Sequence, residues 1–110
     1  MIILDTNALI YSVKKRIDIQ RFSSDEIGVP SSVITELENL SSEIKEAKLA
    51  LKLIPRFKVL KVELSGDRGI IEAATKYGGI VLTNDRELRK NLRGRDIRVA
   101  SVSGSVVRKI

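Results

Sequence analysis

The sequence predicts an α/β fold in which a mainly parallel sheet is covered by helices on both faces. Three observations carry that expectation. The short apolar runs "MIIL" (1–4) and "IVL" (80–82) show no alternation, which suits strands buried on both sides. Stretches with apolar residues at helical spacing separate such runs. The two kinds alternate along the chain, the pattern of β–α units rather than of hairpins. A length of 110 residues suits a single domain over 1–110 with one core.

Taken in order, "MIIL" is the first strand, and "NALIYSVKKRI" a helix with Leu9, Val13 and Ile17 on one face. "DIQRF" adds a short turn. "EIGVP" carries the second strand, where Pro30 biases Val29 towards an extended conformation. Ser31 or Ser32 can cap the next helix, with Val33, Leu37 and Leu40 as its apolar stripe and Glu36 off that stripe. Ser42 can cap a further helix from Glu43 to about Ile54, buried through Ile44, Ala47, Leu51 and Ile54, and Pro55 ends it.

"FKVLKVEL" reads as an exposed strand with Phe57, Val59, Val62 and Leu64 apolar, although the alternation slips at Leu60–Lys61. "SGDRGIIEAATKYGG" is a turn and then a helix whose face is Ile70, Ala73, Ala74 and Tyr77. Gly78 supplies its left-handed stop. After "IVL", Asn84 opens a capping box with Glu87, and Gly94 ends that helix. "IRVASV" gives the last strand and "VVRKI" a short tail. No internal repeat, linker or low-complexity segment interrupts this order.

Composition narrows the chemistry. Cysteine and histidine are both absent, which excludes disulfides, thiolate catalysis, histidine bases and ordinary zinc or iron–sulfur ligation. Metal chemistry must then rest on carboxylates and carbonyls, favouring hard ions such as Mg²⁺ or Mn²⁺. The formal net charge of +6 favours polyanionic partners. No apolar run approaches the roughly 20 residues of a membrane span. "MIIL" is followed at once by Asp5 and so cannot serve as the apolar core of a signal peptide; the expected location is the cytoplasm, with no membrane partner.

In a parallel sheet, sites form at the carboxyl ends of the strands. Four acids fall at strand exits: Asp5 after "MIIL", Glu36 in the helix after "GVP", Asp67 in the loop after "KVEL", and Asp85 after "IVLT". Singly each has a bland reading. Asp5 and Asp85 suit helix caps, Glu36 a solvent-facing helix position, Asp67 a turn. If they converge, several carboxylates cannot all stay ionised without a cation, and the cluster becomes a metal trap. A divalent ion there polarises a phosphoryl oxygen and lowers the pKa of bound water.

Thr6 and Thr83 could hold an acid or a water in place, whereas Asn7 and Asn84 are expected to cap their own turns. Lys45, Lys48 and Lys52 share one helix side, and Arg86, Arg89, Lys90 and Arg93 crowd the helix after Asp85. Such stripes are either solvated faces or seats for phosphates, which position a strand without reading bases. Two Phe, two Tyr and no Trp leave little for base stacking.

These segments resemble the motifs of the PIN-domain nucleases. "MIILDTNALI" is similar to their first motif, with Asp5 as its acid and Thr6–Asn7 as companions. "VPSSVITELENL" resembles the segment of the second acid, on Glu36, and "GDRGIIEAATKYGG" the third, on Asp67. "IVLTNDREL" is similar to the fourth, with Thr83 and Asp85 in its positions. Four motifs in the correct order span nearly the whole chain.

The resemblance implies a three-layer α/β/α sandwich around a central, mainly parallel sheet, and Mg²⁺- or Mn²⁺-dependent endoribonuclease cleavage of RNA. It further implies Asp5, Glu36, Asp67 and Asp85 as metal ligands, with Thr6 and Thr83 beside them. The family includes VapC-type toxins and rRNA-processing proteins; the Asp85 form of the last motif looks closer to archaeal stand-alone members. Implied partners are RNA, a second copy in a homodimer, and an antitoxin or ribosome-assembly protein. Arg68 departs from the family, which often has a second acid beside the third.

Two other classes compete. One is a non-catalytic RNA-binding or ribosome-assembly scaffold on the same fold, which the Arg68 departure leaves open. The other is phosphotransfer. Haloacid-dehalogenase-like enzymes need Asp-x-Asp after the first strand, and Asp5-Thr6-Asn7 lacks the second acid. Receiver domains need a paired acid and a late lysine, and neither is clear.

Overall fold

Each apolar run that opens a β–α unit becomes a strand of one sheet. The computed structural model describes residues 1–22, 26–103 and 106–109. In chain order these form β1 (Ile2–Leu4), α1 (Thr6–Lys14), β2 (Ile27–Pro30), α2 (Ser31–Leu40), α3 (Lys45–Leu51) and β3 (Lys58–Leu60). Then follow α4 (Gly66–Tyr77), β4 (Ile80–Leu82), α5 (Arg86–Gly94), β5 (Val99–Ser103) and β6 (Val106–Lys109). Single 3₁₀ turns occupy Ile19–Phe22 and Ile54–Arg56.

The strand order is β3-β2-β1-β4-β5-β6. The first five strands are mutually parallel, and β6 runs antiparallel to β5. From β1 the chain steps outward to β2 and β3, then returns to the other side of β1 for β4 and β5. Right-handed crossovers therefore put α1, α2 and α3 on one face and α4 and α5 on the other. The packing agrees: α3 lies on α1 and α2, α4 spans β1, β2 and β4, and α5 lies on β5. The result is the three-layer α/β/α sandwich.

Covering both faces explains the missing alternation in the central strands. Ile2, Ile3 and Leu4 of β1 and Ile80, Val81 and Leu82 of β4 are all buried, whichever side they face. Leu9, Val33 and Leu37 close one side; Ile70, Ala73, Leu88 and Leu92 close the other. Among the described residues, no helix is long and apolar enough to cross a membrane.

Several local expectations are corrected. Neither Ser31 nor Ser32 caps α2; Pro30 holds the cap position without a side-chain hydrogen bond. The Ser31 hydroxyl instead donates to the Val62 carbonyl and accepts from its amide, tying α2 to the segment after β3. Ser42 does not cap α3, which starts later, after Ile44, and ends at Leu51. Pro55 lies inside a separate 3₁₀ turn. Ile17 falls beyond the end of α1.

The third strand is shorter than "FKVLKVEL" suggests. Only Lys58–Leu60 pairs, and the buried residue is Leu60, while Val59 and Leu64 are exposed. An edge strand of three residues buries one position, so the slip at Leu60–Lys61 marks where the strand stops. Asp67 is in the first turn of α4 rather than in a loop. Asp85, not Asn84, caps α5. The "VVRKI" tail supplies β6. Gly78 ends α4 as expected, with a φ of 76° that suits glycine.

Candidate functional site

Strand order reverses between β1 and β4: the connection leaving β1 crosses to one face and that leaving β4 to the other. A crevice at their carboxyl ends follows from this topology. Asp5 leaves β1 there, and Thr83 and Asp85 leave β4. Two helices start at the same edge, α2 carrying Glu36 and α4 carrying Asp67.

The four acids line one cavity of about 120 Å³, together with Thr6, Asn7, Ser32, Val33, Gly66 and Ile70. Asp5 forms its depth, only 7% exposed, while Glu36, Asp67 and Asp85 stand at the exposed rim. Hydrogen bonds fix the inner groups. Asp5 Oδ1 accepts from the Ala8 amide at 2.7 Å, capping α1. The buried Thr83 hydroxyl donates to Asp5 Oδ2, bridging the two strand ends across the crevice. The same Thr83 oxygen accepts from the Asp85 amide at 3.1 Å. Thr6 Oγ1 donates to Glu36 Oε2 at 2.9 Å, joining α1 to α2. Asp85 Oδ1 accepts from the amides of Glu87 and Leu88 at 2.9 and 3.1 Å.

Electrostatics at Asp5 work against its charge. Burial pushes its carboxyl above the ordinary carboxylate range; the Thr83 hydroxyl and the Ala8 amide oppose this, and the charges of Asp85 and Asp67 push it further up. Among the described residues no lysine or arginine makes an ion pair with any of the four acids; the ion pair present, Lys58–Glu26, is elsewhere. Oxygen-only donors with uncompensated negative charge fit a hard divalent cation. Yet among the described residues no three acids stand so that they could hold a metal ion as the side chains are arranged.

Three residues expected to cap have other places. Ser32 lines the acid cavity, and its buried Oγ has no hydrogen-bond partner among the described residues. Its position four residues before Glu36 on one helix was the available signal, since i and i+4 share a face. Asn84 lies outside the cavity lining and clamps β5 instead: its amide donates to the Val102 carbonyl at 2.7 Å and accepts from the Val102 amide at 2.9 Å. Asn7 joins the cavity rim.

The basic residues divide. Lys45, Lys48 and Lys52 are exposed around α3, and none lines the acid cavity. On α5, Leu88 and Leu92 are buried, while Arg86, Lys90 and Arg93 are exposed along a line and Arg89 is half-buried beside them. This stripe begins next to Asp85. Arg86 and Arg89 occupy the first turn of the helix, where the macrodipole favours acids.

A family model described as a PIN like domain matches residues 2–105. Ribonuclease VapC9 of Archaeoglobus fulgidus is 37% identical over 106 residues, covering 88% of this chain and 78% of that protein. The solved structure of the PIN domain endonuclease Utp24 matches with a TM-score of 0.82 and 25% identity, over 98% of this chain and 89% of that one. A domain of a functionally unknown protein from Methanocaldococcus jannaschii shares the fold, with a TM-score of 0.69 at 17% identity over 93% of this chain and 90% of that one. Kinship to nucleases in sequence and in structure supports a nuclease-type activity. The chain thus belongs to the PIN-domain family, related to VapC-type ribonucleases and to the PIN nuclease Utp24.

Proposed function

We propose that the chain hydrolyses RNA phosphodiester bonds as a divalent-metal-dependent endoribonuclease, with Mg²⁺ or Mn²⁺ as its cofactor. One observation carries this reading: Asp5, Glu36, Asp67 and Asp85 come from four strand exits and line one cavity at the switch point of the sheet. These four residues would hold the ion, directly or through water. When bound, it supplies Lewis-acid polarisation of the phosphoryl group and neutralises charge gained in the transition state.

The chain's own residues do the remaining work. Thr83 keeps Asp5 facing the cavity and fixes the start of the Asp85 turn. Thr6 restrains Glu36 from across the α1–α2 junction. Arg86, Lys90 and Arg93 seat the RNA backbone beside the site; they span roughly 10 Å of helix at 1.5 Å per residue. Such contacts hold phosphates in register and carry no base preference. Hydrolysis adds water across the bond and leaves a 5′-phosphate and a 3′-hydroxyl.

The test is incubation of purified protein with mixed RNAs in Mn²⁺, in EDTA, and beside Asp5→Asn at matched metal concentration. The proposal expects internal cleavage in Mn²⁺ alone, abolished in EDTA and in D5N. Undiminished cleavage by D5N would overturn it. A second reading, a non-catalytic RNA-binding or ribosome-assembly scaffold, draws on the open arrangement of the acids and on Arg68 beside Asp67. It expects RNA affinity that survives both EDTA and D5N, with no product formed.

A further inference from the structure

A second cavity of about 510 Å³ adjoins the acid site, and Ser32, Glu36 and Gly66 line both. One wall is the polar face of α2, where Thr35 and Asn39 follow Ser32 at helical spacing. The opposite wall is the segment from Val62 to Gly66. Leu64, 47% exposed, gives that wall an apolar surface.

This wall is held in place. The Glu72 carboxylate accepts from the amides of Glu63 and Leu64 at 3.0 and 2.9 Å. The Ser31 hydroxyl accepts from the Val62 amide at 3.0 Å, and the Tyr77 hydroxyl donates to the Lys61 carbonyl at 2.9 Å. Gly69 brings α4 close beneath it: a β-carbon there would lie 2.5 Å from the Leu64 carbonyl oxygen and 2.6 Å from Ser32 Oγ. The groove is therefore preformed, and its size falls within the roughly 300–1,000 Å³ of small-molecule sites.

Its chemistry differs from that of the α5 stripe. No lysine or arginine lines it, and its charged members are Glu36 and Glu63, so a phosphate would be repelled. What it offers is uncharged hydrogen bonding above an apolar side chain. Ser32 Oγ has no hydrogen-bond partner among the described residues, and the Asn39 amide stands exposed on the same wall. A side-chain amide can pair with a base edge, and apolar side chains can pack against the face of an unstacked base.

We infer that the groove between α2 and residues 62–66 is a nucleoside subsite, receiving the base and ribose next to the scissile phosphate. This rests on RNA being the substrate. The strand would be held through phosphates on the α5 side of the acids and through a base on the α2 side. Asn39 and Leu64 then set base preference, an effect that backbone seating cannot supply.

The experiment measures binding of labelled single-stranded RNA hexamers, one homopolymer per base, to folded D5N protein in EDTA. Asn39→Ala and Leu64→Ala are made on that background, with circular dichroism as a folding check; both positions are solvent-exposed. The inference expects affinities to differ among the bases, and either substitution to reduce that spread by roughly two- to tenfold, the worth of a hydrogen bond or less. An Arg86→Gln/Lys90→Gln/Arg93→Gln variant should weaken all four hexamers alike. A spread unchanged by N39A and L64A, no spread at all, or no binding would overturn the subsite. Cleavage by the wild type in Mn²⁺ is scored separately, so loss of the nuclease reading and loss of the subsite are distinguishable.

Discussion

At Asp5 a single carboxylate serves two structures at once, with Oδ1 capping α1 and Oδ2 taking the Thr83 hydroxyl. Because burial raises its folded pKa above the ordinary value, the folded state binds the proton more tightly than the unfolded chain. Stability therefore falls as pH rises through the window between those two values. Asp5→Asn keeps a competent cap and removes the charge, so in EDTA at pH 7 its melting temperature should exceed that of the wild type. The gain should vanish below the ordinary carboxylate range, as paired melts at the two pH values would reveal. Glu72 has the opposite sign: the Glu63 and Leu64 amides hold its carboxyl low. Its stabilisation is present above the ordinary value and disappears as pH falls through the lowered one, so Glu72→Gln should be less stable than wild type at pH 7 and converge with it in acid. Thr83→Val removes the bond that orients Asp5. Losses of about 10- to 100-fold in metal affinity or cleavage rate are expected, as for other groups that orient ligands, with the fold retained.

Helix ends separate what was legible from what was not. The buried stripes of α2 and α4 could be read from spacing, because burial of one face imposes the period. Ends depend on contacts from afar. In "TNDRE" both Asn84 and Asp85 have capping side chains, and Glu87 at the correct interval favoured Asn84. The structure uses Asn84 to clamp Val102 of β5 and leaves the cap to its neighbour. No local pattern announces a bond 18 residues away. Asn84→Ala should accordingly cost about 1–3 kcal/mol, from two lost bonds and unsatisfied groups at Val102, read from the urea midpoint. Helix exits without glycine were equally hidden: Arg16 after α1 and Asp96 after α5 take positive φ, 56° and 59°. Glycine at position 16 should stabilise by roughly 0.5–1 kcal/mol once its greater backbone entropy is subtracted.

At the scale of the whole molecule, the parallel sheet was legible because strands buried on both faces cannot alternate. The antiparallel β6 was not, since an edge strand needs only one partner and its short tail carries no period of its own. The four acids were readable as strand exits; which exits meet depends on strand order, and β1 beside β4 is what joins Asp5 to Thr83 and Asp85. Charge is also organised at this scale, with a net +6 and an α5 stripe beside an acidic cavity. Single-stranded RNA affinity should fall with salt, and removing Arg86, Lys90 and Arg93 should reduce the log–log slope by about 2, at 0.7 per phosphate contact. Titrating the salt dependence of both proteins checks this. We propose that carboxylates from four strand exits act as one divalent-cation site. Calorimetric titration of Mn²⁺ into the wild type and into D5N tests it most directly. Saturable binding in the wild type that is lost in D5N is the predicted result; equal binding by both, or none by the wild type, would contradict it.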